Sequence, residues 1–400
     1  MRLFPPFCLL LVLTNLLCAE NPATAFPSLP SLETVNGAQQ RKRAIDLMQR
    51  NFARWSTTPR AYQQRLDREC GIFPEGHLYP YFLPAIAFTQ LAVSDPANQR
   101  LHLEHAQKYL KHGLPIAAKI VKAPGENLLN LEDYQRQATT LSTVSIALGL
   151  YHRAGGSDPD LDQCHRHVNR LLANALQEAK GGPIRSYPTY AWNSDTVLSL
   201  LGLRLAPQLT PDVSVDTLWT RHQAWIDANA TDSATQLPYS IAGFGDPTEP
   251  KPPRSCDLMM RVQLIAQVDP PAAQELFSNV RRSMERKVGN FYGFDEYPQG
   301  VAGWEDNDSG PIVMDMGLSA TGMAIGAALA TENTEIADRL CQQFAFREPL
   351  LMMAQYMDLS AMAGGWFWQG VKIDPEYFTG FLFGDAVLFC SLTWAPVEDS

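Results

Sequence analysis

The stretch Trp304-Glu305-Asp306-Asn307-Asp308-Ser309-Gly310-Pro311 sets acidic and amide groups side by side ahead of an apolar segment. Carboxylates crowded into a partly dry cleft have their pKa values driven apart, so one can donate a proton while the other accepts one. Asp306 and Asp308 are therefore candidates for a general acid and a general base; the plainer alternative is that Asp308 or Ser309 caps the following helix. Asp195, in Trp192-Asn193-Ser194-Asp195, opens another apolar segment. Asn193 or Ser194 would serve as its N-cap, which leaves one polar group to spare. Glu75 and His77 stand beside Tyr79 on an aromatic turn and would make an acid/base pair oriented by hydrogen bonding, against the alternative of a lone surface histidine.

Around these acids lie residues suited to holding a ligand. Arg254 and Asp257 flank a serine and a cysteine, and Asp295, Glu296 and Tyr297 follow one another. Tyr190, Trp192, Trp304, Trp366, Trp368 and Tyr377 offer faces on which a sugar ring can stack, although aromatic clusters also build cores. The chain has no HExxH, GxSxG, phosphate-binding loop or GxGxxG, which excludes hydride and phosphoryl transfer by those routes. No metal site and no cofactor is expected. His102 and His105 share a face of an amphipathic segment and read as solvated, and His165 and His167 diverge.

Two kinds of helix would position these groups. Ile45, Met48, Phe52 and Trp55 form one apolar stripe, as do Leu161, Cys164, Val168, Leu171 and Ala175, and Leu276, Val280, Met284 and Val288. Residues 99 to 121 form a further helix of this half-exposed, outer kind. Segments 139 to 151, 195 to 206, 316 to 330 and 379 to 392 are nearly uncharged and rich in small residues, joined by 79 to 93 and 256 to 268. Helices apolar all round are buried ones, and these are too short to span a bilayer.

Alternation of the two kinds predicts about a dozen helices, beginning near residues 39, 79, 98, 136, 158, 194, 215, 255, 270, 315, 333 and 380. The expected fold is all-α, an (α/α)6 toroid of antiparallel helices in inner and outer rings over 39–400. Residues 236 to 241 and 365 to 371 are the extended stretches, read as loop hairpins. Antiparallel alternation puts the N-termini of all inner helices at one end, where loops 73–81, 130–137, 186–195, 252–257, 293–311 and 366–380 would gather into a funnel.

Composition agrees with a globular, exported protein. Among 400 residues, 46 % are hydrophobic and 18 % charged, which is ample for a large core. A formal charge of −10 makes nucleic acid an improbable partner. Arg2 precedes an apolar run from Phe7 to Leu17, and Ala23-Thr24-Ala25 fits a signal-peptidase site, so residues 1–25 read as an export signal and 26–38 as a flexible segment. Cleavage after Ala19, or lipidation at Cys18, is the alternative. The destination is periplasmic or extracellular, and no membrane span is expected. Five cysteines remain without CxxC spacing and read as small buried hydrophobes.

Alternating helices with acidic loops at one end resemble the (α/α)6 toroid of many glycoside hydrolases and polysaccharide lyases. Three stretches within residues 60–345 resemble the linalool dehydratase/isomerase family: Trp192-Asn193-Ser194 leading into VLSLLGL, GLYHRAGG, and Asp306-Asn307-Asp308-Ser309-Gly310. That family has a cysteine before the Asn-Ser pair and a histidine in the fourth helix, where Trp192 and Thr143 stand here. The resemblance implies the fold and the cleft position, and the chemistry has to come from the residues present. The expected activity is that of a glycosidase or lyase acting on an oligosaccharide or smaller ligand, with Asp306 or Asp308 paired with Glu75 or Asp195. A dehydratase or isomerase of a small hydrophobic alcohol would instead require an enclosed apolar cavity, and a non-catalytic envelope protein would use the same pocket for binding alone. The oligomeric state is left open.

Overall fold

A computed structural model describes residues 32–70, 74–205, 214–243, 252–301, 303, 312–348 and 374–394. Helices apolar on every side do run through the centre. They are α3 (Pro74–Ser94), α5 (Ala138–Arg153), α7 (Asn193–Arg204), α9 (Ser255–Ile265), α11 (Leu318–Ala330) and α13 (Leu382–Thr393). In α5 every residue from Ala138 to Tyr151 is buried, and in α7 every residue from Asn193 to Leu203. Each of these helices packs on the next, and α13 packs back on α3, so the six close into a ring.

The amphipathic helices form an outer layer: α1 (Gly37–Ser56), α4 (Gln99–Ile120), α6 (Pro159–Glu178), α8 (Val215–Asn229), α10 (Pro270–Met284) and α12 (Thr334–Gln342). The first of them is clasped to the last inner helix, because the Arg41 guanidinium donates to the Leu392 carbonyl at 2.7 Å. This is the (α/α)6 toroid, and its twelve helices begin within a few residues of the expected positions. Small residues permit the tight inner contacts. A side chain at Gly202 of α7 would collide with the Ser145 hydroxyl of α5, and one at Gly326 of α11 with the Gln263 amide of α9.

Four of the six outer helices have side-chain caps, whereas α4 and α12, behind Asn98 and Asn333, do not. Asn36, Asp158, Ser214 and Asp269 cap α1, α6, α8 and α10 by accepting backbone N–H bonds. None of the described N-caps of the inner helices, namely Gln137, Trp192, Arg254, Gly317 and Phe381, makes a side-chain cap bond. Asn193 and Ser194 thus lie inside α7 and are not its caps.

Three features depart from the expectation. A helix α2 (Pro59–Glu69) sits between α1 and α3, its polar sequence having only Tyr62 and Leu66 to bury. Its Tyr62 hydroxyl donates at 2.5 Å to the Pro80 carbonyl, the acceptor that Pro84 cannot use inside α3 because proline has no N–H. Val288 does not continue α10: that helix stops at Met284, and β3 (Glu285–Val288) turns back on β4 (Phe291–Phe294) through Gly289 at φ +57°. Finally, β1 (Tyr190–Trp192) pairs antiparallel with β2 (Ile241–Gly243), and β5 (Ile312–Val313) with β6 (Met316–Gly317). The hairpin expected at 365–371 lies outside the described residues.

Candidate active site

Chain length is spent at one end of the ring. Four of the connections after the inner helices are short, at Asp95–Asn98, Ala154–Asp158, Ala266–Asp269 and Thr331–Asn333, whereas those before α7, α9 and α11 carry the three strand pairs. Strand β1 delivers the chain into α7, while β4 and β6 frame the entry to α11. The first turns of α5, α7 and α9 consequently share one polar network at this mouth.

Its centre is an ion pair. The Arg254 Nε donates at 3.0 Å to Glu296 Oε1, and the Cys256 thiol donates to the same oxygen at 2.9 Å. Glu296 is 0 % exposed and Arg254 3 %, so the pair is held away from water. The Arg254 guanidinium also lies 5.8 Å from the Trp192 ring and 5.4 Å from the Tyr297 ring. Backbone bonds fix these residues in place: Ser255 N–H donates to the Glu296 carbonyl at 2.9 Å, Glu296 N–H to the Asp315 carbonyl at 2.8 Å, and Arg254 N–H to the Ser240 hydroxyl at 2.9 Å.

Asp195 occupies the first turn of α7, where the positive end of the helix favours a carboxylate. It accepts the Thr139 hydroxyl of α5 at 2.5 Å and is 3 % exposed. Asp257 holds the matching place in α9. Burial pushes its carboxyl up, against the opposing pull of Arg261, 3.6 Å away, and of the neighbouring Ser194, Ser240 and Arg254 side chains. Asn193 is fully buried and donates at 2.6 Å to the Tyr239 carbonyl, a bond that pins the loop after α8. Tyr190 packs on Tyr187 at 4.8 Å between ring centres.

Asp195, Trp192, Asn193, Arg254, Asp257 and Tyr297 are thus brought together, with Tyr190 beside them. Glu296, Cys256 and Thr139 belong with them. Glu296 was visible as a carboxylate next to Asp295, but nothing in the spacing said which of the two turns inward.

Other expected residues stand apart. Asp295 faces Arg286 at 3.1 Å on the outer hairpin, and burial pushes its carboxyl up despite that partner. His77 lies in the first turn of α3, not on a loose turn, and meets Asp67 of α2 at 3.1 Å. Tyr377 is 0 % exposed, with Trp55 packed on it and the Arg65 guanidinium within hydrogen-bond reach of its hydroxyl, and it offers no face to a ligand. His102 is buried with Asp95 and not solvated. Asp306, Asp308, Trp304, Trp366 and Trp368 lie outside the described residues, as does the side chain of Glu75. The chain leaves the described mouth at Gly303, against the Tyr297 ring, and re-enters it at Ile312, paired with Gly317.

Tyr79 of α3, itself expected among the ligand contacts, approaches Phe383 of α13 at 6.1 Å between ring centres. Both rings line a cavity of about 80 Å³ running down the bore of the ring, to which all six inner helices contribute side chains. Its described lining is mostly aliphatic and aromatic and includes no carboxylate or imidazole.

No protein-family model matches the sequence, and no curated protein does. The resemblance to linalool dehydratase/isomerase therefore gains no support. Among solved structures, the chain is similar to the GH76A alpha-1,6-mannanase of Salegentibacter sp. HEL1_6, at 10 % identity over 78 % of this chain and 88 % of that one, with a TM-score of 0.49. A GH76 alpha-mannanase of Bacteroides thetaiotaomicron shows 9 % identity over 79 % and 84 %, with a TM-score of 0.49. A family 105 glycoside hydrolase of C. acetobutylicum ATCC 824 shows 11 % identity over 82 % and 99 %, with a TM-score of 0.47.

Proposed function

We propose that this chain is an exported carbohydrate-active enzyme, a glycosidase or lyase, that works at the mouth formed by the N-terminal ends of its inner helices. The observation that carries the reading is Asp195, a buried carboxylate that accepts the Thr139 hydroxyl in the first turn of α7, three residues after Trp192, whose ring lies beside the Arg254 guanidinium. A carboxylate next to aromatic faces is what cleavage between sugar rings requires, since the rings position the sugar and the acid moves a proton. Asp306 or Asp308 supplies the second carboxyl group. In hydrolysis one acid protonates the departing glycosidic oxygen, while the other either activates water or attacks the anomeric carbon.

A small hydrophobic alcohol held in the bore is a poorer substrate. Its dehydration needs an acid and a base, and the described lining of the apolar bore has neither. The protein is read as one toroid unit following an export signal, with an oligosaccharide as ligand. No described helix is long and apolar enough to cross a membrane.

The test is turnover of a panel of oligosaccharides and uronides by the wild type and by the Asp195→Asn and Asp308→Asn variants. Product from the wild type, with a loss of at least about a hundredfold in each variant at nearly unchanged melting temperature, is the expected result. A variant with full activity removes that residue from the mechanism. Ligand-induced stabilisation without product would make the protein a binder.

A further inference from the structure

We infer that Thr139 is a positioning residue that fixes the role of Asp195: it holds that carboxylate unprotonated, so Asp195 takes the base side of the reaction and the acid side falls to its partner. The inference rests on the reading of the mouth as the active site and assigns a role within it.

A buried hydroxyl left without an acceptor is costly, so it donates wherever the fold allows. Inside a helix, threonine ordinarily donates to the carbonyl three or four residues earlier. Thr143 does this, to the Thr139 carbonyl at 2.7 Å. Thr139 has no such carbonyl behind it. It is the second residue of α5, and the chain before that helix passes through Gln135 and Arg136 at φ +52° and +55°, outside the right-handed helical region. Its hydroxyl, on a residue 4 % exposed, instead crosses to α7 and donates to Asp195 Oδ2 at 2.5 Å.

A hydrogen bond donated to a carboxylate stabilises the charged form. The first turn of α7 acts in the same sense, because it presents the positive end of a helix. Charges on the neighbouring elements are matched among themselves, Asp257 with Arg261 on α9 and Glu296 with Arg254. Helix α5 has no charged residue from Ala138 to Tyr151. In hydrolysis the Asp195 carboxylate then takes the proton of the attacking water as the water oxygen bonds to the anomeric carbon, or bonds to that carbon itself. The glycosidic carbon–oxygen bond breaks, its electron pair stays with the departing oxygen, and that oxygen receives its proton from Asp306 or Asp308.

The experiment titrates Asp195 in the full chain by 13Cγ-aspartate NMR, the signal being assigned by its absence in Asp195→Asn. Thr139→Val, which removes the hydroxyl and keeps the shape, should raise the Asp195 midpoint by about one to two pH units, and Thr139→Ser, which keeps the hydroxyl, should leave it near the wild type. This readout needs no turnover. With a substrate, the acidic limb of kcat/KM should move up by the same interval in Thr139→Val and stay in place in Thr139→Ser. Asp195→Asn should lose activity on an aryl glycoside with a good leaving group as fully as on an oligosaccharide, because such a group dispenses with the acid and not with the base. A midpoint unmoved in Thr139→Val overturns the inference, and so does an Asp195→Asn variant active on the aryl glycoside. Asp195 found protonated at about pH 6 in the wild type overturns it as well, whether or not Thr139→Val folds. A midpoint that moves as expected in a protein that turns over no sugar overturns the enzymatic reading instead, and leaves Thr139 as the group that keeps Asp195 ionised.

Discussion

Replacing Arg254 with Met probes the mouth at its most constrained point. The Glu296 carboxylate is fully buried, and Arg254 is the cation the structure sets beside it, at 3.0 Å. Removing one member of a buried pair leaves an uncompensated charge and costs about 3–5 kcal/mol. For 400 residues the unfolding entropy is about 0.8 kcal/mol/K, so the melting temperature should drop by about 4–6 °C. The double variant Arg254→Met/Glu296→Leu removes both charges and should recover most of that loss, because apolar replacement of a buried ion pair is often close to neutral. Differential scanning calorimetry of the wild type, both single variants and the double variant closes the cycle. A drop under about 1 °C for Arg254→Met, or a double variant that falls by the sum of the two singles, refutes the reasoning.

Three further outcomes follow from other places in the ring. Gly202→Ala should cost about 1–3 kcal/mol by driving a methyl group into the Ser145 hydroxyl, and Ser145→Gly should rescue it; chemical denaturation reads both, and absence of rescue would move the α5–α7 contact elsewhere. His222 is buried, and burial lowers its pKa from 6.5 to about 4. The native state then binds fewer protons than the unfolded one, so stability is full above pH 6.5 and falls by about 3 kcal/mol as the pH drops to 4. His222→Gln should flatten that part of the stability curve measured in urea, and an unchanged slope would contradict the neutral assignment. Gly317→Ala should displace Glu296, whose carboxylate occupies the space a side chain there would take, and a crystal structure of the variant would show the shift.

The rings of helices were legible because a helix buried on all sides reads as an unbroken apolar run, and α5, α7 and α13 are of this kind. Helix α2 escaped because most of its residues are polar and its place depends on tertiary contacts such as Tyr62 with Pro80. The steady four-residue spacing from Leu276 to Val288 hid the switch to β3, since Val288 suits a strand as well as a helix. At the site, Asp195, Trp192 and Arg254 were visible because polar groups interrupt apolar helices there. His77 and Tyr377 misled for a common reason. Composition does not give direction, and their partners, Asp67 for the one and Trp55 and Arg65 for the other, lie on helices distant in sequence or unrecognised.

Hydrogen–deuterium exchange with a saturating oligosaccharide substrate, on the inactive Asp195→Asn variant to prevent turnover, asks which end of the ring is the working end. Slowed exchange at residues 190–197, 254–258 and 294–297, with none at the opposite end of the ring, is the predicted result. Protection at the opposite connections, residues 95–98, 154–158, 266–269 and 331–333, with none at the mouth, would contradict it.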